Sequence, residues 1–320
     1  MSKRRRPFVA RSYGSASRKP VTIEYLLEQG ALGDIERFKK ITTQILKYQW
    51  DLYSELAHQR NQIHDELKKV LIQSSENFRF EKWQRAVKWK YGLHPLSTAG
   101  SLTFSGGRFN AGIDINSAIP SFPALYLAVD KDTALQETLG QIEVKGSQLS
   151  ARELALINPQ SEVIVSVSGE LEKVIDLRAA AKLNTFVELT KKFKLSPALK
   201  ESAKRLGLHA PTIVQRSKEL LGTLLRKDWR MTPTIGDVPA NSQIFGQLIY
   251  QAGIEGILYP SSLTGKDCLA IFPNNFAVTS SFITLDDEPP HAGVPRRIDS
   301  TNWRFCEMSA KELIKGAAVC

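Results

Sequence analysis

Cysteine and histidine are scarce in this chain, and their scarcity excludes two broad classes of protein. Three cysteines in 320 residues, Cys268, Cys306 and Cys320, form no C-x-x-C pair and are odd in number, so neither a disulfide framework nor a structural zinc site is expected. Five histidines, His58, His64, His94, His209 and His291, are scattered with no H-E-x-x-H and no ligand spacing, and no bound metal is expected. No apolar run approaches the ~20 residues of a membrane-spanning helix. The first twenty residues also lack the apolar segment of a secretory signal, which leads to the expectation of a cytoplasmic protein without membrane association. Familiar catalytic motifs are missing too. Thr264-Gly265-Lys266-Asp267 fails as a P-loop, because Pro260 stands where the first glycine belongs and Asp267 replaces the magnesium-binding hydroxyl. There is no G-x-S-x-G elbow, and no G-x-G-x-x-G follows a strand.

Acidic residues are absent before Glu24, where Lys3, Arg4, Arg5, Arg6, Arg11, Arg18 and Lys19 supply seven of the net ten positive charges. The remainder of the chain carries only three. A basic arm on a nearly neutral body binds polyanions loosely and salt-sensitively, so specific nucleic-acid recognition is not expected. Rich in Ser, Gly and Arg, residues 1–20 have the composition of a disordered tail. The whole chain, at 42% apolar and 24% charged, has ordinary globular composition and is long enough for one large domain or two modest ones.

From Ile35 and Phe38 through Leu52 and Leu56 to Leu67 and Val70, apolar residues recur at steps of three, four or seven. This predicts an amphipathic helix of unusual length over 34–73, with Asp34 as its N-cap and a short helix over Thr22–Gln29 before it. The stripe needs a partner, either the following domain or a second copy of the chain. From about residue 80 short β-branched and aromatic runs alternate with turn signals. Strands are predicted over Ala124–Val129, Glu162–Val167, Val174–Asp176, Gly256–Tyr259 and Cys268–Phe272, with a helical stretch over about 177–228 between them. Strands, inserted helices and strands again is α+β order. The run Asp286-Asp287-Glu288-Pro289-Pro290 breaks structure, which predicts a C-terminal tail with one short helix at Ser309–Lys315.

Three short stretches carry candidate chemistry. Gly106-Gly107-Arg108-Phe109-Asn110 lets the backbone turn sharply and offers a guanidinium fork to phosphate or carboxylate. Leu125-Tyr126-Leu127-Ala128 is a strand leading into Asp132-Thr133-Ala134-Leu135-Gln136-Glu137, a helix start with Asp132 as the expected cap. Gly256-Ile257-Leu258-Tyr259-Pro260-Ser261-Ser262 is a strand running into a polar turn. Their order, together with Trp83-Gln84-Arg85-Ala86-Val87 before them, Val174-Ile175-Asp176-Leu177 between them and the strand Cys268-Leu269-Ala270-Ile271-Phe272 after them, resembles the RES-domain family. That family is named for an arginine, a glutamate and a serine. Here they fall on Arg108, Glu137 and Ser261, with Ser262 as the alternative to Ser261.

The resemblance covers about residues 80–275 and implies an ADP-ribosyltransferase-like fold, with split sheets, a helical insert and an N-terminal helical region before them. It divides the chain into a tail (1–20), the N-terminal helical region (21–78), the RES domain (79–280, insert 177–228) and a C-terminal tail (281–320). It also implies a toxin that consumes NAD as substrate, with no cofactor, and that is neutralised by a protein antitoxin or immunity partner. The residue types agree with such chemistry. Breaking the nicotinamide–ribose bond leaves an oxocarbenium-like carbon, which a carboxylate stabilises; Glu137 suits that role. Arg85 and Arg108 are candidates for the two phosphates, Tyr126 for stacking on the cationic ring, and Ser261 for a hydrogen bond to the ribose or the carboxamide. The expected reaction is NAD glycohydrolysis with water or phosphate as acceptor. Alternatives are transfer of ADP-ribose to a protein or nucleotide target, and a non-enzymatic binding module that uses the basic arm and the long helix.

Overall fold

The computed structural model describes residues 31–139 and 162–307, with side chains from residue 39 onward. The basic tail and the expected helices at Thr22–Gln29 and Ser309–Lys315 lie outside the described residues. The described residues form two compact units, one from residues up to 56 with residues 194–212, the other from residue 57 to 193 and from residue 213 onward.

The first unit is built on α1 (Ala31–Gln62), up to residue 56, and on α5 (Pro197–Arg205). Tyr48 packs with Leu199 and Ala203 in a small core, and Leu52, Leu195 and Leu206 close over it. Ser196 starts α5 by accepting from the Leu199 amide at 3.3 Å, with Pro197 in the first turn, where a missing N–H costs nothing. The Ser196 amide donates to Glu55 Oε1 at 2.6 Å. The middle of the helical insert thus belongs to this unit. Asp34 lies inside α1 rather than at its N-cap. The single helix expected over 34–73 breaks at Ile63, whose φ and ψ of −118° and 24° are not helical, and resumes as α2 (His64–Ser74) in the second unit.

The second unit carries the sheet. In chain order its strands are β1 (Glu76–Lys88), β2 (Gly106–Gly107), β3 (Asn110–Ala111), β4 (Leu125–Ala128), β5 (Glu162–Asp176), β6 (Gly256–Pro260), β7 (Asp267–Ile271), β8 (Phe282–Leu285) and β9 (Arg297–Ile298). Seven of them form one mixed sheet in the order β1-β4-β7-β6-β5-β8-β9, and β1 pairs with β5 as well, so the first five strands of that order close on one another. Among the described strands only β5 and β6 pair in parallel. The fold is α+β as expected, and the two halves of its sheet are joined because β1 and β5, 13 and 15 residues long, run through both. The two strands expected over 162–176 are one. A bulge at Lys82, φ +54°, lets both Phe80 and Trp83 reach the core although they are three apart. Beyond it, alternation puts Trp83, Arg85 and Val87 on the buried side.

Helices α3 (Lys131–Leu139), α4 (Asn184–Thr190), α6 (Ser217–Leu224), α7 (Met231–Gly236) and α8 (Asn241–Gln251) complete this unit. Asp130, not Asp132, caps α3: its Oδ1 accepts from the Thr133 amide at 2.9 Å, and Asp132 lies within the first turn. Residues 282–307, expected as part of a tail, are built into the body. β8 pairs with β5 and β9 with β8, while Ile283, Leu285, Ile298 and Cys306 join the same core as Phe80 and Leu125. The Pro-Pro break falls in the loop between the two strands rather than ending the fold. Among the described residues no helix is long and apolar enough to cross a membrane.

Candidate active site

The glycine pair opens a tight hairpin. Gly106 pairs with Ala111 and Gly107 with Asn110, which leaves Arg108 and Phe109 at the turn. Gly106 has φ +84°, and a Cβ on Gly107 would come within 2.5 Å of the Tyr126 hydroxyl, so both positions demand glycine for different reasons. Asn110, fully buried, is the hub: its Oδ1 accepts from the Gly107 amide (3.0 Å) and from the Tyr126 hydroxyl (2.8 Å), and its Nδ2 donates to the Ser101 and Phe122 carbonyls. From α8, the buried Gln243 donates to the Ser105, Gly107 and Asn110 carbonyls, and Gly246 lies so close to the Phe109 backbone that a Cβ there would stand 2.0 Å from its oxygen. The hairpin is therefore fixed on one side by Asn110 and on the other by α8.

Above it is a cavity of about 430 Å³, within the ~300–1,000 Å³ range of small-molecule sites. Arg85, Arg108, Tyr126 and Glu137 all line it. Ser261 is not on its wall. It is buried behind Glu137, donating to Glu137 Oε1 at 2.5 Å while accepting from the Leu263 and Thr264 amides at 3.1 Å each. Its neighbour Ser262 serves the other charged group, accepting from Arg108 Nη2 at 2.7 Å. Alternation in β4 sends Leu125 and Leu127 into the core and Tyr126 to the cavity, with the Tyr126 hydroxyl also accepting from the Phe109 amide at 3.0 Å.

Both arginines are tied to main chain. Arg85 donates through Nε to the Pro95 carbonyl (2.7 Å), through Nη1 to Tyr126 (3.2 Å) and through Nη2 to Ser97 (2.7 Å), and burial lowers its pKa to about 10. Arg108 donates through Nη1 to the Arg226 carbonyl at 2.8 Å. Burial raises the pKa values of Tyr126, Tyr259 and Cys268, so the two phenols and the thiol around Glu137 stay neutral. Glu137 is the one carboxylate among the described lining residues, against Lys88, Lys90, Arg85, Arg108 and Arg230.

Several of these residues carry no readable signal in the sequence. Tyr259 stands in a quoted motif, yet its cavity position follows from β6 and from edge-on packing against Phe109 at 4.9 Å. Phe104 lines the cavity with its backbone at φ +55° and with 71% of its surface exposed, an unusual combination for an aromatic residue. Trp229 and Arg230 directly follow the expected insert (177–228), where an aromatic-cation pair in a turn was the only available hint.

The fully assembled arrangement suits a flat aromatic ligand bearing two or more negative charges, with one fixed carboxylate placed to face positive charge on the ligand. A family model described as the RES domain matches residues 82–291. Among solved structures, the chain is similar to one titled as the crystal structure of the M. tuberculosis MbcT–MbcA toxin–antitoxin complex, at 14% identity and a TM-score of 0.36, covering 79% of this chain and 97% of that one. Comparison with curated proteins gives no match.

Proposed function

Since the chain belongs to the RES-domain family, we propose that it cleaves NAD to nicotinamide and ADP-ribose, and that it does so as the toxin of a pair whose partner is a protein antitoxin. The observation that carries the reading is that Glu137 is the one carboxylate among the described lining residues, set among five cationic side chains and held in place by a buried hydroxyl. A site for simple anion binding has no use for that carboxylate, since it repels the ligand the arginines attract. A site that breaks a bond to a cationic ring does.

In the proposed reaction the electron pair of the C–N bond leaves with nicotinamide, which becomes neutral, and positive charge develops on the ribose carbon and its ring oxygen. The Glu137 carboxylate stabilises that charge and orients a ribose hydroxyl. Because Ser261 occupies Oε1, Oε2 is the atom left for the ligand. Water or phosphate then bonds to the ribose carbon and releases a proton. Tyr126, whose hydroxyl is already engaged twice, offers its ring face rather than a proton. Purified protein incubated with NAD is expected to release nicotinamide and free ADP-ribose or its 1-phosphate. Label from NAD fixed on a macromolecule would instead indicate transfer, and no nicotinamide release at all would contradict the proposal.

A further inference from the structure

The two arginines of the motif are occupied by the protein itself: Arg85 by three carbonyls, Arg108 by the Arg226 carbonyl and the Ser262 hydroxyl. A third guanidinium also faces the cavity. The Arg230 guanidinium has no hydrogen-bond or ion-pair partner among the described residues, although its neighbours are heavily bonded. It is supplied by the segment just after the expected insert, outside every motif that carries the family resemblance.

Its placement is built. Arg226 pairs with Asp228 through two contacts of 2.8 and 2.6 Å, which closes the turn, and Trp229 is buried at 5% exposure. The Arg230 guanidinium lies 4.6 Å from the Trp229 ring centroid, and the Arg108 guanidinium 5.8 Å from it. A planar cation stacked this way keeps its N–H edge free for a planar or tetrahedral oxyanion. The charge on Arg230 is disfavoured by burial and then by Arg108, and only partly supported by Glu137. An anion brought to that edge would relieve the repulsion between the two arginines. Arg108 then has a different part to play, since its bond to the Arg226 carbonyl fastens the segment from which Arg230 projects.

We infer that Arg230 is a substrate-positioning residue that receives the diphosphate of the dinucleotide through its free N–H edge. The inference rests on the proposed NAD reading for the identity of the ligand, while the anion site itself can be tested separately. Arg230→Ala and Arg230→Lys are compared with wild type by initial-rate NAD consumption and by calorimetric titration with inorganic pyrophosphate, with circular dichroism to confirm folding. A lost charge-assisted contact of this kind corresponds to roughly a ten- to hundredfold effect. Arg230→Ala is expected to raise KM for NAD at least about tenfold with kcat within about threefold, and to weaken pyrophosphate binding by a similar factor. Arg230→Lys is expected to recover part of both, because it keeps the charge and loses the fork. Unchanged KM and pyrophosphate affinity in Arg230→Ala would overturn the inference while leaving NAD cleavage intact, as would a wild type that binds no pyrophosphate. Pyrophosphate binding that depends on Arg230, in a protein that releases no nicotinamide, would support the anion site and contradict the NAD reading.

Discussion

In the proposed reaction the carboxylate that faces the developing positive charge works best when it cannot rotate away, and Ser261 is the residue that holds Glu137. Its hydroxyl has its own geometry set by the two amides it accepts from, so it transmits the rigidity of the 261–264 turn to the acid. Ser261→Ala is expected to lower kcat by about ten- to a hundredfold with little change in KM, because the lost bond orients the acid rather than the ligand. A rise in KM alone, measured by steady-state kinetics, would instead mean that the serine touches substrate. What pointed to Arg85, Arg108, Tyr126 and Glu137 in the sequence was the order of several short motifs, each ordinary by itself, and the resemblance that order carries; the structure brings all four to one cavity. The partner of Ser261 was not legible, since a bond between residues 137 and 261 is a fact of tertiary packing. Arg230 was nearly invisible for the same reason, because the adjacent Trp229 is all that marks it locally as different from any surface arginine.

At the scale of elements, the Arg85 fork fixes the 95–97 loop from one side and the C-terminal segment fixes it from the other. Thr98 donates through both its amide and its hydroxyl to the Cys306 carbonyl, and His94 Nε2 lies 2.7 Å from the Phe305 carbonyl. Because a carbonyl only accepts, that nitrogen carries the proton, and Nδ1 is left buried without a partner. Burial, with smaller contributions from Arg85 and His291, depresses the His94 pKa below 6.5. Protonation is therefore easier in the unfolded chain than in the folded one. Stability from the neutral ring is complete above about 6.5 and is lost as pH falls below it towards the depressed native value. Between pH about 7.5 and about 5.5, wild type is expected to lose more stability in urea melts than His94→Gln, which keeps a donor for the Phe305 carbonyl and cannot charge. Equal losses in the two proteins would assign the acid sensitivity elsewhere. Apolar alternation located the strands near the site, but not the extent of their partnership. The four residues Phe282–Leu285 are too short a signal to outweigh the proline pair that follows, and only their pairing with β5 makes them a strand. Likewise Ile63 keeps the apolar period of a continuous helix, and its non-helical backbone could not be read from that period.

Across the whole molecule, the insert between β5 and β6 is divided. Residues 194–212 fold with α1 in one unit, while the residues on either side of them fold with the sheet in the other. The stripe on α1 found its cover in Leu199 and Ala203 of this chain, which accounts for its middle. Sequence order alone suggested a single helical interruption of the domain, since assignment to one unit or the other depends on contacts far apart along the chain. The same insert delivers Trp229 and Arg230 to a cavity whose other walls come from β1, the 106–111 hairpin, β4 and α3. What unites these parts is a single chemical demand, a fixed acid amid cations and aromatic rings. It is tested most directly by following nicotinamide release from NAD by purified wild type and Glu137→Gln side by side, with folding of both checked by circular dichroism. The account predicts release by wild type and a loss of at least about a hundredfold in the variant, an isostere that keeps volume and hydrogen bonding but removes the charge. Equal release by the two proteins, or none by wild type, would contradict it.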